Sequence, residues 1–506
     1  MNSSIIFKSS QENNYLYSTA KKQFFYLHPI LEYIYNIEKE GINIPMYLKD
    51  LNTNIDIDSF GSCTKENLIY YYDKYLLYRQ KGYFGTESNS PSKHKEFTGE
   101  LIKKELANSV QILFEVTNAC NLNCTYCGYS NLYEGYDKRE DENLDIDSAK
   151  KFIDYMITLR NSKYYKSLKK NIAISFYGGE PLLNFKFIEE IVQYTRTKKH
   201  LIDNFEFWMT TNGVLLNKYM DFLAKEKFKL MISLDGDGDQ NSYRVDHGNK
   251  NSFDRVYKNI SLLKEKHSEY FENTVTFNTV LHDRNSIKDV AEFFNKEYGK
   301  IPNFSPLTDN GIREDKKEEF NKIYKNFAKD SKQLKYYPEL EQKMHFELPE
   351  ARITKETLTE KSNFSFKNYN ELLGNGQYDS FYLTGTCIPF SKSAFVLVNG
   401  KILPCEQISH QFELGRINKH EISINFDEIA QQYNKYFNQI AKQCKSCIEY
   451  KTCKNCIFQL KFKDGKFVCH QSTSLEETVW SFSKTFDYLE NNSRNYKKLV
   501  YGGDIK

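Results

Sequence analysis

The sequence predicts an α/β protein built around a parallel sheet. Between residues 105 and 310, six short segments rich in β-branched or aromatic residues alternate with amphipathic helical segments. Repeated strand–helix units of this kind form parallel sheets, either doubly wound or curled into a partial barrel. Strands are predicted at 110–117, 172–177, 205–211, 229–234, 274–281 and 301–306, and helices at, for example, 184–197 and 253–266. Functional residues are expected at the carboxyl ends of these strands.

Smaller units are predicted on both sides of this sheet. Residues 1–82 combine extended segments at 14–17 and 23–27 with helical patterns from Pro29 and over 65–79, which indicates a small α+β domain. A polar linker is predicted at 83–104, and a Lys- and Glu-rich helical bridge at 311–380. Residues 381–475 hold seven of the 11 cysteines, and 476–506 are predicted to form a C-terminal helix and tail.

Composition argues against several classes of protein. With 70 Lys and Arg against 67 Asp and Glu, the net charge of +3 gives no reason to expect a nucleic-acid partner. The longest apolar run is about five residues, far short of a membrane span, and the N-terminus lacks signal-peptide features. We therefore expect a cytoplasmic protein without a membrane partner. In that reducing compartment, clustered cysteines indicate metal binding or catalysis.

The most informative cysteines are Cys120, Cys124 and Cys127, which stand in CNLNCTYC directly after the first strand of the sheet. Three thiolates within eight residues can surround one metal centre, but an isolated zinc site normally has a fourth ligand nearby. The next cysteine along the chain is Cys387. A [4Fe–4S] cluster with one open iron is therefore favoured, and the alternative is a zinc knuckle completed by a distant histidine.

This CxxxCxxC motif, with Tyr126 before its last cysteine, resembles the signature of radical S-adenosylmethionine (SAM) enzymes. The resemblance implies a partial (β/α)6 TIM barrel in which the three cysteines hold a SAM-binding [4Fe–4S] cluster. One electron from that cluster would split SAM into methionine and a 5′-deoxyadenosyl radical. The radical would then remove a hydrogen atom from the substrate.

Motifs after later strands resemble the SAM-binding elements of the same family. The residues that the resemblance assigns to SAM are Gly178, Gly179, Glu180, Thr210, Asn212, Ser233, Asp235 and Arg244. The glycines would let the backbone approach SAM closely, and Glu180 would accept a hydrogen bond from the SAM ammonium group. Arg244 resembles the arginine that often meets the SAM carboxylate. Taken singly, these residues are equally well explained as helix caps and turns.

The C-terminal cysteines form a second pattern, Cys387, Cys405, Cys444-x2-Cys447-x5-Cys453-x2-Cys456 and Cys469. Paired CxxC motifs are also good zinc ligands, so a zinc ribbon is an alternative. The whole pattern resembles the SPASM domain, an iron–sulfur domain with two auxiliary [4Fe–4S] clusters, which would make three clusters in all. The resemblance implies an outer cluster on Cys444, Cys447, Cys453 and Cys469, and an inner one on Cys387, Cys405 and Cys456. The two-residue gap between Cys453 and Cys456 departs from the usual three.

The resemblance implies a radical SAM oxidoreductase that matures a ribosomally synthesised precursor peptide, by a thioether or another side-chain cross-link. A flavodoxin or ferredoxin would supply electrons. Glu406 stands where the sulfatase-maturating branch has an aspartate base, which makes it a candidate catalytic residue and formylglycine formation an alternative. Further alternatives are an iron–sulfur electron carrier without SAM turnover and a zinc-binding interaction protein.

Two features at the N-terminal end complete the predictions. Residues 1–82 resemble, in arrangement alone, a peptide-recognition domain in which a leader peptide adds a strand to a sheet edge, and a generic α+β cap is the alternative. Cys63 belongs to neither cysteine pattern and is predicted to be a buried free thiol.

Overall fold

The computed structural model describes residues 4–19, 21–58, 60–84, 94–167, 170–344, 348–361, 382–445, 447, 449–450, 453–469 and 474–501. Its N-terminal part is a three-stranded antiparallel sheet with helices packed on it. The elements are β1 (Ser4–Lys8), β2 (Asn14–Ser18), β3 (Gln23–Tyr26), α1 (Pro29–Lys39), α2 (Ile44–Asp50), β4 (Ile55–Ile57), β5 (Gly61–Cys63) and α3 (Lys65–Gln80). The predicted extended segments and both predicted helices are present. Strand β1 and the β4–β5 hairpin were not predicted, since each forms only through pairing with its neighbour.

The main sheet contains six parallel strands in sequential order. They are β6 (Gln111–Thr117), β7 (Asn171–Gly178), β8 (Asn204–Thr211), β9 (Lys229–Ser233), β10 (Val275–Leu281) and β11 (Asn303–Pro306). The helices of this region are α4 (Gly99–Ala107), α5 (Ile146–Arg160), α6 (Phe185–Thr197), α7 (Leu216–Lys225), α8 (Phe253–Lys266), α9 (Ser268–Thr274) and α10 (Ile287–Tyr298). The α/β prediction is confirmed, and the order lacks the reversal of a doubly wound sheet. All six carboxyl ends therefore meet at one edge.

The cysteine-rich region extends this same sheet. Strand β12 (Ser393–Val396) pairs in parallel with β6, and β13 (Lys401–Leu403), β14 (Gly415–Ile417) and β15 (Ile422–Ser423) continue the sheet in antiparallel fashion. Helix α15 (Phe426–Cys444) and the hairpin of β16 (Lys461–Lys463) and β17 (Lys466–Val468) follow. Strand β12 lies directly beside β6, and Cys405 follows β13, the next strand of the sheet.

Helices fill the remainder of the described chain. The predicted bridge contains α11 (Lys317–Ile323), α12 (Phe327–Asp330), α13 (Pro338–Met344) and α14 (Pro349–Lys361), and its residues 362–380 lie outside the described part. The C-terminal helices are α16 (Leu475–Asn491) and α17 (Tyr496–Tyr501). Short 3-10 helices occur at Pro181–Asn184, Glu314–Lys316, Ser331–Tyr336, Ile457–Gln459 and Ser493–Asn495. Within the described ranges, no helix is both long and apolar enough to cross a bilayer.

Helix α16, near the C-terminal end of the described chain, packs on the N-terminal sheet. Phe482 and its neighbours on α16 form an apolar cluster with Ile5, Phe7 and Tyr17. The rings of Phe7 and Phe482 have centroids 5.4 Å apart. At the end of the helix, Glu490 Oε1 accepts hydrogen bonds from Ser9 Oγ, Asn13 Nδ2 and Tyr15 OH at 2.8, 2.9 and 2.7 Å.

Replacing Glu490 by alanine is expected to weaken this contact by about 2 kcal/mol, because three donors lose a charged acceptor at once. Urea unfolding followed by circular dichroism measures the change in the free energy of unfolding. Glu476→Ala is the matched control, since Glu476 is exposed on the first turn of the same helix. Equal stability of the two variants would show that Glu490 does not hold the chain ends together.

Candidate functional site

The three-cysteine loop, residues 118–128, leaves the carboxyl end of β6 and is held against the segment after β9. Asn123 N–H donates to Val245 O at 2.7 Å, and Thr125 N–H donates to Tyr243 O at 3.3 Å. The His247 ring nitrogen lies 2.9 Å from Cys120 O. These bonds fix the backbone around all three cysteines without using a cysteine sulfur.

The three thiols of this loop lie near enough to affect one another's pKa. Burial raises the pKa of Cys120, and it raises that of Cys124 to about 12, with smaller contributions from the neighbouring thiols. Among the described residues, no three His, Cys, Asp or Glu side chains stand close enough to share one metal ion. In a [4Fe–4S] cluster each thiolate binds a different iron, so its cysteines stand farther apart than the ligands of one ion.

Two donors point at these sulfurs. Leu122 N–H lies 3.4 Å from Cys120 Sγ, and Arg139 Nη2 lies 3.4 Å from Cys127 Sγ. Hydrogen bonds to ligand sulfurs are among the interactions that tune iron–sulfur clusters. Three converging thiols with donors at two of them therefore fit a cluster, and their assignment as iron ligands stays a prediction.

Gly178 and Gly179 lie where the end of β7 crosses the start of the three-cysteine loop. A Cβ on Gly178 would lie 2.2 Å from Thr117 O, and one on Gly179 would lie 2.0 Å from Ala119 O. Gly178 also has a φ of +126°, which favours glycine. Both glycines are thus required by contact between two backbone segments. The predicted contact of SAM with these glycines stays a prediction.

Glu180 is fully buried and joins β7 to the loop after β8. Its carboxylate accepts hydrogen bonds from Thr211 Oγ1 and Asn212 N–H, both at 2.7 Å, and from Leu182 N–H at 3.1 Å. Burial raises its pKa to about 7, although these donors oppose that shift. Glu180 therefore positions the loop that carries Asn212, and its predicted bond to the SAM ammonium stays a prediction.

The other predicted residues of this edge lie at the ends of β8 and β9. Asn212 Nδ2 donates to Asn121 Oδ1 at 2.7 Å and lies 3.8 Å from Cys120 Sγ. Thr210 and Ser233 are half-buried near the carboxyl ends of their strands. Of this set, Asn212 is the residue that contacts the three-cysteine loop directly.

Asp235 and Arg244 form a buried ion pair behind the three-cysteine loop. Arg244 Nε and Nη2 lie 3.0 and 3.1 Å from the two Asp235 oxygens. Burial alone would raise the pKa of Asp235, but Arg244 and His282 outweigh it and lower that pKa. Tyr126 OH also donates to Asp235. The Arg244 guanidinium binds the Asp235 carboxylate, and its predicted contact with the SAM carboxylate stays a prediction.

The seven C-terminal cysteines lie in two groups. Burial raises the pKa of Cys405 to about 12, and Cys456 and Cys387 are close enough to add to that shift. Burial likewise raises the pKa of Cys444 to about 12, with Cys453, Cys469 and Cys447 contributing. A cavity of about 510 Å³ is lined by the second group. The structure thus places these cysteines in a group of three and a group of four, and their assignment as iron ligands stays a prediction.

Two tyrosines lie near both the three-cysteine loop and the segment that carries Cys405. Burial raises the pKa of Tyr136, and the thiols of Cys405 and Cys127 and the carboxylate of Glu406 add to this effect. Burial raises the pKa of Tyr177 as well, with Glu406 and then Cys127 as the next contributions. Tyr136, Tyr177 and Glu406 are each half-buried.

Sequence reasoning missed several residues of this region. His282 and Tyr126 contact Asp235, while Glu115, Tyr129 and Arg139 form a linked group beside Cys127. None of them has a motif of its own apart from Tyr126, which was noted only as part of the cysteine signature. The available signal was proximity in sequence, since Glu115, Tyr129 and Arg139 all flank the three cysteines.

Comparison with known proteins agrees with this geometry. Residues 114–296 match the radical SAM superfamily. The chain is 28% identical over 240 residues to the radical SAM cyclopropyl synthase TigE of Paramaledivibacter caminithermalis, covering 46% of this chain and 45% of TigE. It is 25% identical over 350 residues to a cysteine-type anaerobic sulfatase-maturating enzyme of Clostridium novyi, covering 66% of this chain and 84% of that enzyme. The chain thus spans about half the length of TigE and most of the second relative.

A solved structure shares the fold. Native anSMEcpe with bound AdoMet and the Cp18Cys peptide superposes with a TM-score of 0.52 at 20% identity, covering 77% of this chain and 99% of anSMEcpe. At this level of identity the likeness concerns the fold alone.

Proposed function

Because residues 114–296 belong to the radical SAM superfamily, we propose that the chain is a radical SAM peptide maturase. It uses SAM to modify a ribosomally synthesised peptide by forming a thioether or another side-chain cross-link. The observation that carries this proposal is that Tyr136 and Tyr177 each lie near both Cys127 and Glu406, and that Tyr136 also lies near Cys405. The three-cysteine loop and the segment that carries Cys405 are thus near enough to act on one substrate.

The residues predicted to bind cofactors have different roles at this edge of the sheet. Cys120, Cys124 and Cys127 would hold a [4Fe–4S] cluster, which would supply the electron that splits SAM. Glu180 and Asn212 keep the β8 loop against the three-cysteine loop, so the predicted SAM-binding surface keeps its shape. The group of three and the group of four C-terminal cysteines would hold two auxiliary [4Fe–4S] clusters, which would supply an acceptor for the electron released when the substrate is oxidised.

An edge strand of the N-terminal sheet is evidence in favour of a peptide substrate. Strand β3 is an edge strand paired only with β2 in the described sheet, so an extended peptide can add to it. Helix α3 lies nearby, since Phe25 of β3 stacks on Tyr78 with centroids 5.6 Å apart. The same helix exposes the apolar side chains of Ile69, Tyr70, Leu76 and Leu77. An edge strand beside an exposed apolar helix suits a leader peptide of alternating polar and apolar residues.

Sulfatase maturation is the second candidate function, favoured by the likeness to the Clostridium novyi enzyme over 84% of its length. One experiment separates the two functions. The protein is incubated anaerobically with SAM, a flavodoxin or ferredoxin reducing system, and two peptides, a Cys-containing precursor encoded beside the gene and a sulfatase active-site peptide. A cross-linked precursor that has lost two hydrogens supports the first function, and conversion of Cys to formylglycine supports the second. SAM cleavage without change in either peptide would contradict both.

Replacing Glu406 by glutamine is expected to lower peptide product by about 100-fold, because proton removal from the substrate loses its general base. SAM cleavage, which depends on the three-cysteine loop, should continue, so 5′-deoxyadenosine forms without matching product. Liquid chromatography with mass detection measures both compounds. Glu413→Gln is the control, since Glu413 pairs with Arg416 at the surface. Unchanged product in Glu406→Gln would exclude Glu406 as the base.

A further inference from the structure

Arg139 lies beside the three-cysteine loop and belongs to none of the motifs described above. Its Nη2 lies 3.4 Å from Cys127 Sγ, and its guanidinium carbon lies 4.4 Å from the ring centroid of Tyr129. Its Nε is buried and has no hydrogen-bond partner among the residues that the structure describes. The guanidinium therefore has Nη2 at Cys127 Sγ and has Nε left for a further acceptor.

The C-terminal region fixes the position of Arg139 from two directions. Tyr129 OH donates to Glu115 Oε1 at 2.7 Å, and the other oxygen of this buried carboxylate accepts the Val398 N–H at 3.0 Å. These contacts hold the aromatic ring on which the guanidinium lies. They also connect β6, the three-cysteine loop and the segment after β12 in one chain of contacts.

The backbone just before Arg139 is held as well. Asp137 N–H donates to His410 Nδ1 at 3.1 Å, and Lys401 Nζ lies 2.9 Å from an Asp137 carboxylate oxygen. His410 N–H donates to Gly135 O at 2.8 Å. Residues 135–139 are thus clamped onto the region that carries Cys405, and Arg139 has little freedom to turn away from Cys127.

The charge of Arg139 is not cancelled by a direct partner. Two arginines lie near the loop, but Arg244 is paired with both oxygens of Asp235. No ion pair links Arg139 to a carboxylate anywhere in the described ranges. An arginine side chain stays protonated at any physiological pH. Arg139 is therefore a fixed positive charge at Cys127 Sγ that forms no direct ion pair among the described residues, with the Glu115 carboxyl as a more distant neighbour.

We propose that Arg139 is a positioning residue that orients Cys127 and raises the reduction potential of the cluster at the three-cysteine loop. Reduction adds one negative charge to a cluster, and both a nearby cation and a hydrogen bond to a ligand sulfur stabilise that charge. The residue thereby helps the cluster to accept the electron needed for SAM cleavage. This inference rests on the proposed function only in requiring a cluster at that loop.

The test is an anaerobic redox titration of the full chain, followed by electron paramagnetic resonance of the signal that changes when SAM is added. In Arg139→Gln, the ratio of reduced to oxidised cluster at a given potential is expected to fall about tenfold, which is about 59 mV for one electron. Arg139→Lys keeps the charge but shortens the reach, so a smaller shift in the same direction is expected. Arg313→Gln is the control, because Arg313 is an exposed arginine paired with Asp315.

The outcomes separate this inference from the proposed function. An unchanged midpoint in Arg139→Gln with full iron content would overturn it, and so would weaker SAM binding at an unchanged midpoint, which would make Arg139 a SAM ligand. If Arg139→Gln takes up no iron, a wild-type midpoint in Arg139→Lys would overturn it. Absence of any SAM-responsive signal in the wild-type protein would instead contradict the proposed function.

Discussion

Replacing Cys120, Cys124 and Cys127 together by alanine is expected to remove about four of about twelve irons per chain, with matching loss of sulfide. The signal that responds to SAM should disappear, and 5′-deoxyadenosine should fall below detection, a loss of at least about 10⁴-fold, because the radical has no other source. The physical reason is that the three thiols converge in one buried loop and that no fourth cysteine of the described chain joins them. Metal analysis after anaerobic reconstitution makes the measurement.

Cys63→Ala is the matched control for this loss. Cys63 is fully buried in the N-terminal domain, as predicted for a free thiol, and its Sγ donates to the Thr64 carbonyl at 3.7 Å. This variant should keep the full iron content and SAM cleavage. A triple variant that retains all its iron would show that the loop holds no cluster, and zinc in the wild-type protein would return the chain to the zinc-binding alternative.

Replacing Asp235 by alanine is expected to lower the free energy of unfolding by about 3–5 kcal/mol, because Arg244 is left as a buried charge without its partner. The side chains of Asp235 and Arg244 are 0% and 9% exposed, so water cannot replace the lost carboxylate. Tyr126 OH and Val280 N–H lose their acceptor at the same time. Urea unfolding under anaerobic conditions, followed by circular dichroism, measures the effect.

Two further variants serve as controls for this prediction. Asp315→Ala breaks an exposed pair with Arg313 and should cost less than about 1 kcal/mol. The double variant Asp235→Ala with Arg244→Met removes both charges and should recover much of the stability. If Asp235→Ala were no less stable than Asp315→Ala, the buried ion pair would not stabilise the region behind the three-cysteine loop.

The parallel sheet was predictable because its signal is local. Each strand from β6 to β11 is a short apolar segment next to a helical one, and the observed bounds differ from the predicted ones by at most two residues. The pairing of β12 with β6 was not predictable in the same way. It joins segments about 280 residues apart along the chain, and nothing in SAFV specifies a parallel partner.

At the candidate site, the motifs predicted where several residues lie. Gly178, Gly179 and Glu180 lie beside the three-cysteine loop, where backbone packing requires the glycines and Glu180 positions the loop after β8. Their contacts with SAM stay a prediction. Residues outside any motif are harder to find from sequence. Arg139 is suggested only by its nearness along the chain to the three cysteines, and His282 acquires its role only because the fold places it beside Asp235.

The central claim is that this chain cleaves SAM to start radical chemistry. Its most direct test is to incubate the anaerobically reconstituted protein with SAM and dithionite and to count methionine and 5′-deoxyadenosine. We expect both compounds in equal amounts, because one cleavage gives one of each. Intact iron–sulfur clusters with no 5′-deoxyadenosine would contradict the claim and favour an electron carrier.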